Sequence, residues 1–163
     1  MKRIILLTLL GVLVTLPMTA QQYSNQLKDL LVDLPGWEGQ VPEGADISFN
    51  QITTVTATRD YVRGDATLKA AVMVTDATSI GQVPRATFEN EEAFLRTEQI
   101  NGFDSYISFN KKDKSGAVFV ILGTSPRSVV FTLTFEGIGW EEARKLVERY
   151  DLAAMLKVAR NIQ

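Results

Sequence analysis

The sequence predicts an α+β fold: a mainly antiparallel sheet of about six strands flanked by N-terminal, middle and C-terminal helices. Three observations predict it. Polar and apolar residues alternate over 66–75 and 128–136, the period of a strand with one buried face. Asn101-Gly102 sits between two strand-like runs, and Asn-Gly is the strongest short hairpin signal. Apolar residues recur at helical spacing near both ends of the chain.

Each element has its own signal. Ser24 is placed to cap a helix through Leu27, Leu30, Leu31 and Leu34, which Pro35-Gly36 stops. Residues 37–44, with Gly39, Pro42 and Gly44, read as loop. Residues 47–62 are rich in Thr, Val and Ile and read as one strand. Arg63-Gly64-Asp65 turns the chain into the strand 66–75, whose Leu68, Ala70, Val72 and Val74 share a face. Residues 76–84 read as loop. Residues 87–95 read as the middle helix, with Glu89, Glu91 and Glu92 in an acidic first turn that suits the helix dipole. Residues 97–100 and 103–110 form the hairpin around Asn101-Gly102, and Lys111 to Gly116 turns again. The continuous apolar run 117–122 predicts a central strand. Val129, Phe131, Leu133 and Phe135 give the last strand one apolar side. Residues 140–162 are helical, and Asp151 restarts the apolar stripe in a new phase, so a kink or two consecutive helices is expected there.

Composition narrows the chemistry. The 163 residues include no His and no Cys. Disulfides, thiolate metal sites, Ser-His-Asp and Cys-His catalysis are therefore excluded. An enzyme would have to work with carboxylates, Lys, Tyr, Ser or Thr, and a metal would be a hard cation on oxygen ligands. The sequence shows no catalytic residue set and implies neither a metal nor a cofactor.

The start of the chain reads as an export signal. Lys2-Arg3 precedes an almost wholly apolar run from Ile4 to Leu16, then Pro17-Met18-Thr19-Ala20. Two outcomes fit: cleavage after Ala20, or retention as an anchor. The run is short of the roughly 20 residues of a spanning helix, which favours cleavage and no stable membrane span afterwards. Residues 1–20 hold two of the 17 basic residues and none of the 19 acidic ones, so residues 21–163 carry net −4 against −2 for the whole. An acidic balance argues against a nucleic-acid partner. Residues 21–163 read as one domain in a periplasmic or extracellular setting.

The order of elements resembles the PsbP-like fold. The likeness is carried by Leu34-Pro35-Gly36-Trp37, Thr58-Arg59-Asp60-Tyr61 with Gly64 opening a hairpin that ends in Val74-Thr75-Asp76, Ile100-Asn101-Gly102, and Tyr150-Asp151-Leu152. It implies a small exported accessory or binding domain and transfers no catalytic residue. Many exported relatives of that fold are lipoproteins, a role the missing Cys closes here.

The remaining motifs have plain readings. Arg63-Gly64-Asp65 spells an adhesion tripeptide, but a tight turn wants the same residues. Glu89 to Glu92 lacks the alternating ligands of a calcium loop. Gly137-Ile138-Gly139 lacks the Lys of a phosphate loop. Lys111 and Ser115 share a turn with no nucleophile elbow. Glu98 and Asp104 flank the Asn101-Gly102 turn and are the candidate acids of a carboxylate-dependent exported hydrolase. The candidate binding residues are Trp37, Arg59 and Tyr61: a Trp in a Gly-rich loop, beside an Arg and a Tyr on one strand face, is hot-spot chemistry if exposed, whereas the usual burial of Trp favours Trp37 folding back to cap the sheet. The leading expectation is a non-enzymatic domain that recognises a protein or small ligand of the cell envelope through a sheet edge and the Trp37 loop.

Overall fold

Alternation of side chains, rather than helical spacing, dominates the middle of the chain. The structure, a computed structural model, describes residues 21–49, 52–76 and 87–162. The strands are β1 (Glu38–Gly39), β2 (Glu43–Phe49), β3 (Ile52–Arg63), β4 (Ala66–Thr75), β5 (Phe88–Glu89), β6 (Ala93–Ile100), β7 (Phe103–Asn110), β8 (Ser115–Gly123) and β9 (Ser128–Glu136). The helices are α1 (Gln21–Lys28), α2 (Trp140–Val147) and α3 (Leu152–Arg160). The expected signal segment 1–20 and nearly all of the expected loop 76–84 lie outside the described residues.

All pairings are antiparallel, in the order β1-β3-β4-β9-β8-β7-β6-β5, with β2 also on β3. Two runs of neighbouring strands, β2-β3-β4 and β5 through β9, join along β4 and β9. The sheet stays open. Its edges are β5 on one side and β1 with β2 on the other, both borne by the long strand β3.

One face of the sheet is apolar. Val55, Ala57, Leu68, Val72, Phe131, Leu133, Val118 and Val120 are buried there with Leu27, Leu31, Ala143, Val147, Leu152 and Met155 from the helices. α1 packs on β2 and β3; α2 and α3 pack on β8 and β9. The opposite face carries Thr56, Lys69, Thr134 and Phe119.

This corrects the expected fold class. The described residues form a mainly antiparallel sheet with nine strands and three short helices, not the PsbP-like α+β arrangement of about six strands with a middle helix that the residue patterns predicted. The expected helix over 87–95 is β5, a turn and the start of β6. Asn90 causes the difference: its Oδ1 accepts from the backbone N–H of Glu92 (2.9 Å) and Ala93 (2.7 Å), which spends on a turn the amides a helix would need. Phe94 then packs against Phe109 across the ladder (5.6 Å) and edge-on to Trp140 (5.5 Å). The strand expected over 47–62 is two strands, β2 and β3, and the expected loop 37–44 holds β1 and the start of β2. Ser24 is not a cap; it lies inside α1, buried, and its hydroxyl donates to Asp46 (3.3 Å).

Other expectations hold. Asn101 and Gly102 both have positive φ, as the two-residue turn between β6 and β7 requires. The apolar run 117–122 lies in β8, an interior strand. Asp151 caps α3 by accepting from the Ala154 N–H (2.8 Å), so the last helical segment is two helices.

Candidate functional site

The three residues singled out for binding meet in one place, on the helix-facing side of β3 and beneath the loop that follows α1. Residues 59 and 61 share a strand face, and β1 pairs with Tyr61 and Val62, which brings Trp37 alongside. Their surroundings are interior. Arg59 donates to the carbonyls of Leu31 (2.7 Å) and Gln40 (2.8 Å) and to the carboxylate of Asp33. Its guanidinium also lies 5.2 Å from the centre of the Tyr61 ring. Tyr61 is fully buried; its hydroxyl donates to the Val32 carbonyl (2.8 Å) and accepts from Tyr150 (3.1 Å). Burial pushes the Tyr61 phenol above its ordinary pKa and, together with the bond between the two hydroxyls, pushes Tyr150 up further.

Trp37 is 8% exposed. The Arg63 guanidinium covers its ring at 4.3 Å, and Arg63 in turn bridges Glu142 of α2 at 2.7 Å. So Trp37 folds back onto the sheet, as the usual burial of Trp favours, and the three residues that would be a recognition surface if exposed form a buried clamp. It fastens residues 31–40 to β3. Gly39 belongs to the clamp: a Cβ there would come 2.6 Å from Arg59 Nη2.

The clamp sets the position of an edge. β1 and β2 lie side by side along β3, and β3 is the only strand that pairs with β2 among the described residues. Every residue of β2 except Asp46 is exposed. Five of the eight exposed large apolar side chains among the described residues lie on or beside this edge: Val41, Ile47, Phe49, Ile52 and Val62. Val41 is 85% exposed, Phe49 71% and Ile47 60%. Ile47 pairs with Thr54 and Phe49 with Ile52, so all four point to the face away from the helices. The sequence signal for this was the polar pair Asn50-Gln51 inside an otherwise alternating apolar run. Read as the loop of a hairpin, it would have split 47–62 into two strands.

The acids proposed for hydrolysis do not form a pair. Glu98 stands opposite Ser105 and Gln99 opposite Asp104, so Glu98 and Asp104 project from opposite faces of the β6–β7 hairpin. Glu98 is taken up by Arg144 of α2 (2.5 Å), which also holds Glu148. Lys111 donates to Asn90 (2.7 Å) and Glu89 (3.1 Å), away from any activated serine. The hydrogen bonds of Arg96 and then Lys111 hold the Glu89 carboxyl below its ordinary pKa. No group of three or more acids among the described residues is placed to hold a metal.

No family model, curated protein or solved structure matches the chain, and nothing among these comparisons ties it to the PsbP-like proteins. Among the described residues no helix is long and apolar enough to cross a membrane. With no cysteine, the chain has no disulfide.

Proposed function

We propose that the protein is an exported, non-enzymatic binding or accessory domain that recognises a partner in the cell envelope or outside the cell through the β1–β2 edge of its sheet. Export rests on the basic start and short apolar run of residues 1–20. The observation that carries the recognition surface is the clustering of Val41, Ile47, Phe49 and Ile52 on and beside the edge strand β2. Large apolar side chains scattered singly need no explanation; a group of them along a strand edge that nothing pairs with among the described residues does. The clamp of Arg59, Tyr61 and Trp37 serves this reading by fixing the loop from which the edge departs.

The test is capture from an envelope fraction by the tagged chain, compared with the Ile47→Thr/Phe49→Thr variant. Thr keeps strand propensity and removes the apolar area. Specific capture that falls at least about tenfold, equivalent to about 1.4 kcal/mol, supports the reading. Capture that is unchanged refutes it.

A further inference from the structure

We infer that the edge recognises its partner by strand addition, and that the partner is an extended basic segment with apolar side chains at alternate positions, laid antiparallel along β2. The inference rests on the edge reading above and names its occupant.

The backbone register comes first. On β3 the Thr53 carbonyl accepts from the Asp76 N–H on the β4 side (3.3 Å), so alternation turns the backbone groups of Ile52, Thr54, Thr56 and Thr58 toward β2, where they pair with Phe49, Ile47, Ala45 and Glu43. Alternation then turns the backbone groups of Glu43, Ala45, Ile47 and Phe49 toward β3. The Thr56 hydroxyl, donating to the Ala45 carbonyl at 3.2 Å, agrees with that assignment. The N–H and C=O of Gly44, Asp46 and Ser48 point the other way, off the sheet. They form a ladder ready for another strand.

The side chains set what that strand must carry. Opposite Ala45, Ile47 and Phe49 it meets apolar surface on the outer face. Opposite Gly44, Asp46 and Ser48 it meets a carboxylate and a hydroxyl. Asp46 Oδ2 accepts from Ser24 at 3.3 Å, whereas its Oδ1 is buried with no hydrogen-bond partner. A lysine on the added strand would stand beside that carboxylate. The wider charge agrees: residues 28–49 contain Asp29, Asp33, Glu38, Glu43 and Asp46 against Lys28 alone, whose stem lies beside Gly44. Two guanidinium groups reach this segment from β3 and both are engaged: Arg59 is held by Asp33 and two carbonyls, and Arg63 lies over Trp37 and bridges Glu142. A second copy of the chain would bring the same acids to the same edge, so charge disfavours it and favours a basic segment.

The probe is a capped nine-residue peptide alternating Lys and Val, with a Glu-for-Lys counterpart, titrated into the purified chain while amide hydrogen exchange is followed. The expected result is slowed exchange at Gly44, Asp46 and Ser48. Binding should weaken with added salt and should be at least about tenfold weaker for the acidic counterpart. Ser48→Pro removes an outward N–H at an edge position that tolerates Pro, and should abolish binding with the fold intact. Should that variant misfold, Asp46→Asn should still weaken the basic peptide several-fold. Binding without protection of those three amides overturns strand addition, as does binding that survives Ser48→Pro. Protection that grows with protein concentration alone makes the occupant a second copy and overturns the basic-segment assignment. If the peptide fails to bind while Ile47→Thr/Phe49→Thr still abolishes envelope capture, strand addition falls and the edge reading stands.

Discussion

Replacing Tyr61 with Phe should destabilise the fold far more than replacing Tyr150 with Phe, although the two hydroxyls touch. Tyr61 is the middle of a short chain of bonds: Tyr150 donates to it at 3.1 Å and it donates to the Val32 carbonyl at 2.8 Å. Tyr61→Phe removes both bonds, and the loss of the one to Val32 costs about 1 kcal/mol. It also strands the buried Tyr150 hydroxyl, which adds about 1–3 kcal/mol, for about 2–4 kcal/mol in all. The ring, and with it the stacked Arg59 guanidinium, remains. Tyr150→Phe removes only the outer donor and leaves Tyr61 bonded to Val32, at about 1 kcal/mol. The double variant has no stranded hydroxyl, so it should cost less than the sum of the singles by about 1–2 kcal/mol. Equilibrium urea unfolding of the four proteins, followed by Trp37 and Trp140 fluorescence, measures all three quantities. Equal single costs, or strict additivity, would refute the clamp as described.

Three further outcomes follow from the same structure. Both buried tyrosines have raised pKa values, so the folded chain keeps protons that the unfolded chain loses near pH 10. Their contribution is complete below that pH and falls above it by about 1.4 kcal/mol per pH unit per tyrosine; urea midpoints at stepped alkaline pH should show the decline, flattened in the double Phe variant. Gly116→Ala would drive a Cβ into the Ser108 carbonyl and to 2.8 Å from Phe135 Cζ, at a cost of more than about 3 kcal/mol, visible as a lost or sharply lowered thermal transition. Asp151→Ala removes the cap of α3 and should lower stability by about 1 kcal/mol in the same urea assay.

Local chemistry was legible wherever one residue decides the geometry. Asn101-Gly102 gave its hairpin, and Asp151 gave the break between α2 and α3, because turn and cap residues act on their immediate neighbours. The turn at Asn90 was not legible because three neighbouring acids suit a helix start, while the strands that Asn90 joins are held by Phe94 and Phe109, fifteen residues apart in sequence. The grouping of Trp37, Arg59 and Tyr61 was legible from strand alternation. The burial of Trp37 was legible, since Trp is usually buried; that of Arg59 and Tyr61 was not, because it depends on which face α1 and α3 cover. The edge was not legible for a related reason: a strand's exposure depends on whether both its sides are paired, and no residue within Glu43–Phe49 announces that β3 is its only partner among the described residues.

Separating the clamp from the edge tests the account most directly. Capture of an envelope partner and unfolding stability should be measured together for Tyr61→Phe and for Ile47→Thr/Phe49→Thr. The account predicts that Tyr61→Phe lowers stability and leaves capture intact at temperatures where the variant stays folded. It predicts the reverse for the edge variant: unchanged stability to within about 0.5–1 kcal/mol and lost capture. Full capture by the edge variant would contradict it.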